Sequence, residues 1–569
     1  MELQCNVDGE SKLRIRKFFE KQDAREYVRA FVSKQLTAGK MEETPQMPSL
    51  FKPTIKPKLN SNASNDSTDD DTILVPSLRI ELSKGQAFSE FEGFNTKATL
   101  CFDIDVFGKR HRFDGITACL CPTLGKVITA PLPDKLETLP KYDRPIRIVV
   151  STTSPEISFV GLATYEWRKI LNEGHVEGQI DVIGLQNEIV GVINYDIKLK
   201  GITKEINYPM FREVLELQLK QEGIDSVDSE RQFVLELRSW WRELTQLIND
   251  KNFVINANEI GTGKTSVFSF ITPINSRELI TPGHCLRYVY LLNDLKAPIN
   301  ASFIPNWAAI ASRCAGEREK LNILVSLLRG FGLRAFVVVA RPRCFAVSLS
   351  SSTICFDVKN GKFSSSIPKG IENILYIYND ESLLANLNPN AEIDWDIDNP
   401  LRWKELKAPK QFLYTLPPTI KCDCGDFNEE KLESSVKSII EAHRQSVGLK
   451  TRWNTELQPL MLPILDSYEH EKLLGTTLGV HAMSSQAIQS KIKPYHAIRA
   501  APTSTNSTNP GIVFKALTRA RSGLDIMGSR DDDASFVLLI KCYKYPSGVV
   551  STWALLAIDS VTPLYNAKK

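Results

Sequence analysis

The stretch CAGEREKLNILVSLLRGFGLRAFVVV, Cys314–Val339, decides how the second half of this chain is read. Leu321, Leu324, Val325 and Leu328 recur at helical spacing, and Glu317 suits the positive end of a helix. Gly330-Phe-Gly332 breaks the periodicity, and the β-branched run after Ala335 reads as a buried strand. A helix starting near Glu317 therefore delivers the chain, through a glycine turn, into a sheet.

Outward from there the pattern is α+β. HCLRYVYLLNDL reads as a helix before it, and CFAVSL and TICFDV as strands after it. FVINA and SVFSFITPI read as further strands. A helix is expected over Ser229–Asn249, where Phe233, Leu237, Trp240, Leu244 and Ile248 form one stripe. Two long helices are expected between Glu430 and Leu473. A loop, APTSTNSTNPG, follows, and then a hairpin, SFVLLIKCYKY and VVSTWALLAI, turned at Pro546-Ser547-Gly548. Between Thr72 and Lys200 the candidates LRIEL, TKATLCFDIDVFG, RPIRIVVS, ISFVGLATYEW, GQIDVIG and IVGVINYDIKL predict a β-sandwich. At the amino end, residues 12–35 read as a helix and residues 39–71, ending DSTDDD, as a flexible linker.

The 569 residues are 42% hydrophobic and 24% charged, ordinary globular values, with a net charge of +3. That balance makes the whole molecule no electrostatic magnet for nucleic acid. The opening MELQCNVDGESKLRIRKFFE carries charges throughout, which reads against a secretory signal. Eleven scattered cysteines then read as reduced thiols of a cytosolic protein.

Several motifs invite a chemical reading. NEIGTGKTS presents Gly261, Gly263, Lys264 and Thr265 in the manner of a phosphate-binding loop. Asn258 stands where that loop needs its first small residue, and the β-rich SVFSF follows where a helix is needed. A hairpin turn explains the glycines, so no nucleotide cofactor is expected. Cys119/Cys121 and Cys422/Cys424 lie too far apart to make one zinc site, and no metal is expected. The first pair reads as core. Asp103 and Asp105 read as the solvated face of a strand, not as calcium ligands.

A helix beginning near a cysteine and leading into strands is the layout of papain-type and transglutaminase-type thiol hydrolases. EWRKIL, FVLELRSWWRE, SLLRGFGLRAFVVV, EAHRQSVGLKTRWNTELQPLMLPILDSYEHE and CYKYPSGVVSTWALLAI together resemble the family of the seventy-six-kilodalton centrosomal protein. The resemblance covers roughly residues 72–569. It implies a C2-like antiparallel β-sandwich over 72–201 and a transglutaminase-like (papain-like) α+β domain over 225–420. C-terminal helices and a β-hairpin over 421–569 would pack on the latter, after a helical segment, 1–38, and a linker, 39–71.

Carried over residue by residue, the family's motif puts Glu317 at the nucleophile, Arg343 at the base and Asp357 at the acid. Glu cannot act as a thiolate, and Arg is always protonated. None of the seven histidines lies between Cys285 and Ala442, so rescue by Cys314 or Cys344 lacks a base. Glu317 and Arg343 are expected to form an ion pair across the old cleft. The resemblance thus implies a non-catalytic centriolar or centrosomal scaffold in the cytoplasm. Its partners would be other centriolar proteins, and it would act in the control of centriole duplication. Two rivals stand beside it: a nucleotide-binding enzyme using Lys264, and a C2-type membrane-surface adaptor using Lys97 with the basic segment Lys109–Arg112.

Overall fold

The computed structural model describes residues 75–561 apart from 92–97, 135–137, 155, 202–207, 249–252, 296–300, 351, 410–417, 422–427 and 481–486. The expected amino-terminal helix and linker, Lys97 and the Cys422/Cys424 pair lie outside the described residues.

Eight strands form the first unit: β1 (Ser77–Gln86), β2 (Thr99–Val106), β3 (Lys109–Thr117), β4 (Thr123–Pro131), β5 (Ile146–Ser154), β6 (Ser158–Tyr165), β7 (His175–Ile183) and β8 (Ile189–Lys200). All pairings are antiparallel. The order β3-β2-β5-β6-β7-β8-β1-β4 makes two four-stranded halves, joined at the single pairing Leu162↔Ile183. Alternation turns Leu78, Ile80 and Leu82 of β1 and Phe102, Ile104 and Val106 of β2 into one shared core with Trp167. The result is an antiparallel sandwich. The turn between β2 and β3 needs positive φ at two successive residues, met by Phe107 (52°) and Gly108 (84°). Strand β3 was not foreseen, because KRHRFDGIT places charged residues on a face that turns out to be covered.

A 40-residue helix, α1 (Tyr208–Leu247), leaves the sandwich. It begins well before the expected Ser229. Its first half carries apolar residues on two faces, which blurs the single stripe that marks a helix. Phe233, Trp240 and Leu244 enter the largest core cluster. A short hairpin follows, β9 (Asn256–Glu259) and β10 (Gly263–Ser266). SVFSFITPI is not the strand its composition suggested. A 3₁₀ turn over Val267–Phe270 sends Val267, Phe268 and Phe270 all into the core, where a strand would expose every second residue.

Next come α2 (Pro282–Tyr290), β11 (Asn293–Asp294), α3 (Asn306–Ser312), β12 (Cys314–Ala315) and α4 (Glu317–Gly330). Seven antiparallel strands follow: β13 (Ala335–Arg341), β14 (Phe345–Leu349), β15 (Thr353–Asp357), β16 (Lys362–Ser364), β17 (Asn373–Tyr378), β18 (Ser382–Asn386) and β19 (Trp403–Lys407), in the order β16-β15-β14-β13-β17-β18-β19. Helix α4 is buried along most of its length between this sheet and α2 and α3, as its apolar run requires. Val149, Phe159 and Leu162 of the sandwich join the same core, so the two units share one apolar interior.

The last unit holds α5 (Glu429–Ser446), α6 (Gln458–Leu474), β20 (His496–Thr505), α7 (Pro510–Arg519), α8 (Arg521–Met527), β21 (Ser535–Tyr545) and β22 (Val549–Val561). The sheet order is β20-β22-β21, with β22 buried along nearly its whole length. The expected loop APTST is instead the end of β20, paired from Ala501↔Leu556 to Thr505↔Thr552. An apolar central strand recruits a polar neighbour when only one face of that neighbour is covered. Asn509 caps α7 and Pro510 opens it, a start signal that the Thr/Ser-rich surroundings obscured.

Glu469 of α6 locks the last unit to the middle one. Its carboxylate accepts two bonds from Arg287 Nε (3.0 and 3.2 Å) and one from Arg287 Nη2 (2.8 Å) of α2. Ser551, Tyr545 and Trp553 also donate to it. The two side chains are 1% and 2% exposed. Burial pushes the carboxyl upward, but the Arg287 bonds and charge, with Trp553 and Tyr545, outweigh it and hold Glu469 below the usual range. Its stabilising effect is therefore complete above about pH 4.5, the ordinary Glu value, and is lost as pH falls through the depressed folded value. Glu469→Gln leaves Arg287 buried and uncompensated and is expected to cost about 3–5 kcal/mol in urea unfolding at neutral pH. The deficit should shrink on acidification. A second close contact is steric: a Cβ at Gly283 of α2 would collide with the Leu473 carbonyl of α6. Gly283→Ala is expected to destabilise by about 1–3 kcal/mol in the same assay.

Candidate functional site

The first turn of α4 opens onto a cavity of about 380 Å³ lined by Glu317, Arg318, Glu319, Pro342, Arg343 and Cys344, among others. Gly316 enters the helix extended (φ −76°, ψ 176°) with no side-chain cap, so acidic residues there complement the open N–H groups. Glu317 and Arg318 are exposed, while Glu319 turns inward. Burial raises the Glu319 carboxyl, against backbone groups of Glu319, Ile304 and Gly316 that lower it. The sequence reading singled out Glu317 and missed Glu319. Helical position alone could not show which of the two faces the core.

Arg343 does not pair with Glu317 as expected. Its guanidinium donates Nη1 and Nη2 to the two oxygens of Asp357, at 2.7 and 2.9 Å. A planar fork matches one carboxylate held edge-on, and the sheet places β15 directly beside β14. Asp357 also accepts from the backbone N–H groups of Lys359 and Asn360 and from Asn360 Nδ2 (2.7 Å). Burial raises this carboxyl, but the Arg343 and Asn360 bonds win and hold it low. Glu317 remains on the rim of the cavity. Of the three carried-over positions, the structure brings two into direct contact and places the third on the same cavity as Arg343.

Neither candidate thiol is activated. Cys314 is 1% exposed, and burial pushes it up to about 12 despite the nearby Arg313. It lines a different cleft, of about 490 Å³, with Phe159, Asn506 and Gly548. Cys344 lines the Glu317 cavity, and burial raises it against the pull of Arg318. His284 stands at the start of α2 beside Thr281, driven down to about 4 by burial and therefore neutral. Burial thus disfavours the thiolate at both cysteines, and the cavity gathers charge from Glu317, Arg318 and Arg343.

The other singled-out residues fall elsewhere. Gly261, Gly263, Lys264 and Thr265 form the β9–β10 hairpin, with Gly263↔Glu259, Lys264↔Asn258 and Thr265↔Ala257 paired. Both glycines have φ of 80°, as the turn demands. The Gly261 N–H is taken by Asn187 (3.1 Å), and a single 3₁₀ turn, Val267–Phe270, follows where a phosphate loop would open an α-helix. Cys119 and Cys121 are not core: they sit half-buried and exposed in the turn between β3 and β4.

Asp103 and Asp105 are not solvated either, being 2% and 7% exposed. Their face of β2 looks out of the sandwich and into the next unit. Arg110 clasps Asp103 (2.9 and 2.6 Å) and reaches Ser547 Oγ (2.7 Å) at the β21–β22 turn and the Thr419 carbonyl. Arg112 lies 3.6 Å from Asp103. Arg144 and the Thr419 hydroxyl hold Asp105. The arginines of the basic segment Lys109–Arg112 are thus spent inside the protein. Iodoacetamide treatment of the native protein at neutral pH is expected to leave Cys314 unmodified by mass spectrometry, with alkylation only after unfolding. Rapid native labelling of Cys314 would contradict the buried thiol.

With the geometry in place, the comparisons are direct. The family model for the centrosomal protein of 76 kDa C-terminal domain matches residues 425–561. The centrosomal protein of 76 kDa of Xenopus tropicalis is 25% identical over 467 residues, 73% of this chain and 70% of the relative. The Homo sapiens protein of that name is 24% identical over 473 residues, 74% and 71% of the two chains. Among solved structures, a C2 domain of plant extended synaptotagmin 1 aligns with 23% of this chain and 99% of its own, at 10% identity and a TM-score of 0.19. A C2 domain-containing protein from a putative elicitor-responsive gene aligns with 25% and 99%, at 11% identity and a TM-score of 0.19. The likeness to the centrosomal protein of 76 kDa thus runs through most of the chain, and the last unit matches the model of that family's C-terminal domain.

Proposed function

We propose that this protein is a non-catalytic scaffold of the centrosome, a transglutaminase-like pseudoenzyme that helps control centriole duplication. The observation that carries the reading is the Arg343–Asp357 clasp. In a working thiol hydrolase the acid orients a base that can accept a proton. Here the acid's oxygens are saturated by a permanent cation and by the Asn360 turn. The transglutaminase-like label is supported by order and placement. Helix α4 is followed by β13–β15, with Glu317, Arg343 and Asp357 around one cavity, or in contact with a residue that lines it. The first unit takes the C2-like label on its eight-stranded antiparallel sandwich.

The partners in this reading are other centrosomal proteins, bound by folded surfaces and not as substrates. The rivals fit less well. Lys264 sits in an antiparallel hairpin where a phosphate loop would open a helix. The arginines that would meet a membrane are engaged by Asp103, Asp114 and the last unit.

Two experiments test the proposal. A tagged chain carrying Glu317→Ala and Arg343→Ala should colocalise with a centriole marker and support normal centriole number in cells depleted of the native protein. Loss of function by a folded, correctly localised double variant would sink the scaffold reading. Glu317→Cys with Arg343→His restores nucleophile and base beside the existing Asp357. That variant should gain labelling by an electrophilic thiol-hydrolase probe where the wild type shows none, and persistent silence would count against the transglutaminase-like geometry.

A further inference from the structure

Helix α1 carries two apolar stripes. Leu215, Phe233, Trp240 and Leu244 face the rest of the chain and are at most 6% exposed. Val214, Leu217, Ile224 and Leu235 are 42%, 69%, 46% and 65% exposed. At about 100° per residue, the second stripe lies on the opposite side of the helix from the first. Gln221, Asp228 and Arg231 complete its line. The positions 214, 217, 221, 224, 228, 231 and 235 alternate steps of three and four, the spacing of a coiled-coil seam. A helix that only covers a core carries polar residues on its outer face, so this stripe calls for a cover of its own.

We infer that the cover is a second copy of this chain, its α1 packed antiparallel on the first about a twofold axis between Ser229 and Glu230. The seam is self-complementary only when read backwards from that point. Ile224 then meets the partner's Leu235, and Asp228 meets the partner's Arg231. Gln221 lies against the partner's Arg238, and Leu217 lies along the stem of the partner's Arg242. All four contacts repeat by symmetry, as a twofold interface requires. A parallel pairing would set Asp228 on Asp228 and Arg231 on Arg231, repelling at both places. The Asp228 and Arg231 side chains are 69% and 76% exposed, and within one chain they pair loosely with each other, at 3.6 Å. A swap of partners between helices therefore costs little and exchanges one weak exposed pair in each chain for two pairs across a seam.

Light scattering and sedimentation of the full chain over a wide concentration range test this. The wild type should form a dimer that dissociates on dilution. Asp228→Arg and Arg231→Asp should each yield monomer, and the two together should restore the dimer. Because both residues are exposed, thermal unfolding of each variant should match the wild type at a dilution where the wild type is itself monomeric, which separates lost association from lost folding. Under mild oxidation, Ile224→Cys mixed with Leu235→Cys should cross-link, while Ile224→Cys alone should not. The inference is overturned by a wild type that stays monomeric throughout, by single charge variants as dimeric as the wild type, or by Ile224→Cys cross-linking to itself. A monomer whose stripe is protected by residues 1–74 of its own chain would overturn it as well.

Discussion

Glu469 is a buried carboxylate that receives every donor the surrounding elements point at it, and the assembly of the second half turns on it. Arg287 comes from the helix that packs on α4, and Ser551 and Trp553 come from the central strand of the last sheet. A charge withdrawn from water is tolerated only when its counter-charge and hydrogen bonds arrive together. That condition forbids partial assembly: α2, α6, β21 and β22 must all be in place before the carboxylate is satisfied. The close approach of Gly283 to the Leu473 carbonyl follows from the same geometry, because the arginine reaches the glutamate only if the two helices nearly touch.

The interface between the sandwich and the remainder uses a related device. Asp103 and Asp105 project from the outer face of β2, and arginines from β3 and from the segment before β5 fold over them toward Thr419 and Ser547. Beside this charged seam, Val149, Phe159 and Leu162 continue the apolar core across the boundary. The first supplies register and the second supplies burial energy. Together they explain why β2 is covered on both faces although its sequence alternates charged and apolar residues.

Much of this was legible in the sequence where one physical signal dominated. Helix α4 declared itself by periodicity and by the Gly330–Gly332 break, and β13 by its β-branched run. Six of the eight sandwich strands were readable from alternation. The misses share a cause, namely tertiary partners that composition does not name. KRHRFDGIT looked unlike a strand because its arginines are neutralised by β2, and APTST looked like a loop because its pairing partner supplies the apolarity. SVFSF looked like a strand because β-branched composition cannot reveal a core that surrounds it on several sides. At the cavity, the sequence placed Glu317, Arg343 and Asp357 around the same feature but chose the wrong carboxylate for the arginine. Helix and strand positions fix neighbourhoods, whereas a guanidinium selects by the angle at which a carboxylate is presented.

The bond between Arg110 and Ser547 spans 437 residues of sequence. During synthesis the sandwich leaves the ribosome with Arg110, Arg112 and Arg144 complete but without the surface that covers them. Its outer face, apolar at Val149 and Phe159, stays open to solvent until the middle unit has been made, and Arg110 waits further for Ser547 of the β21–β22 turn. The nascent chain therefore passes through a long interval in which its first unit is folded yet unprotected, the condition under which chaperones engage a client. A chain stopped before the middle unit is complete would remain in that state, and its removal would fall to quality control.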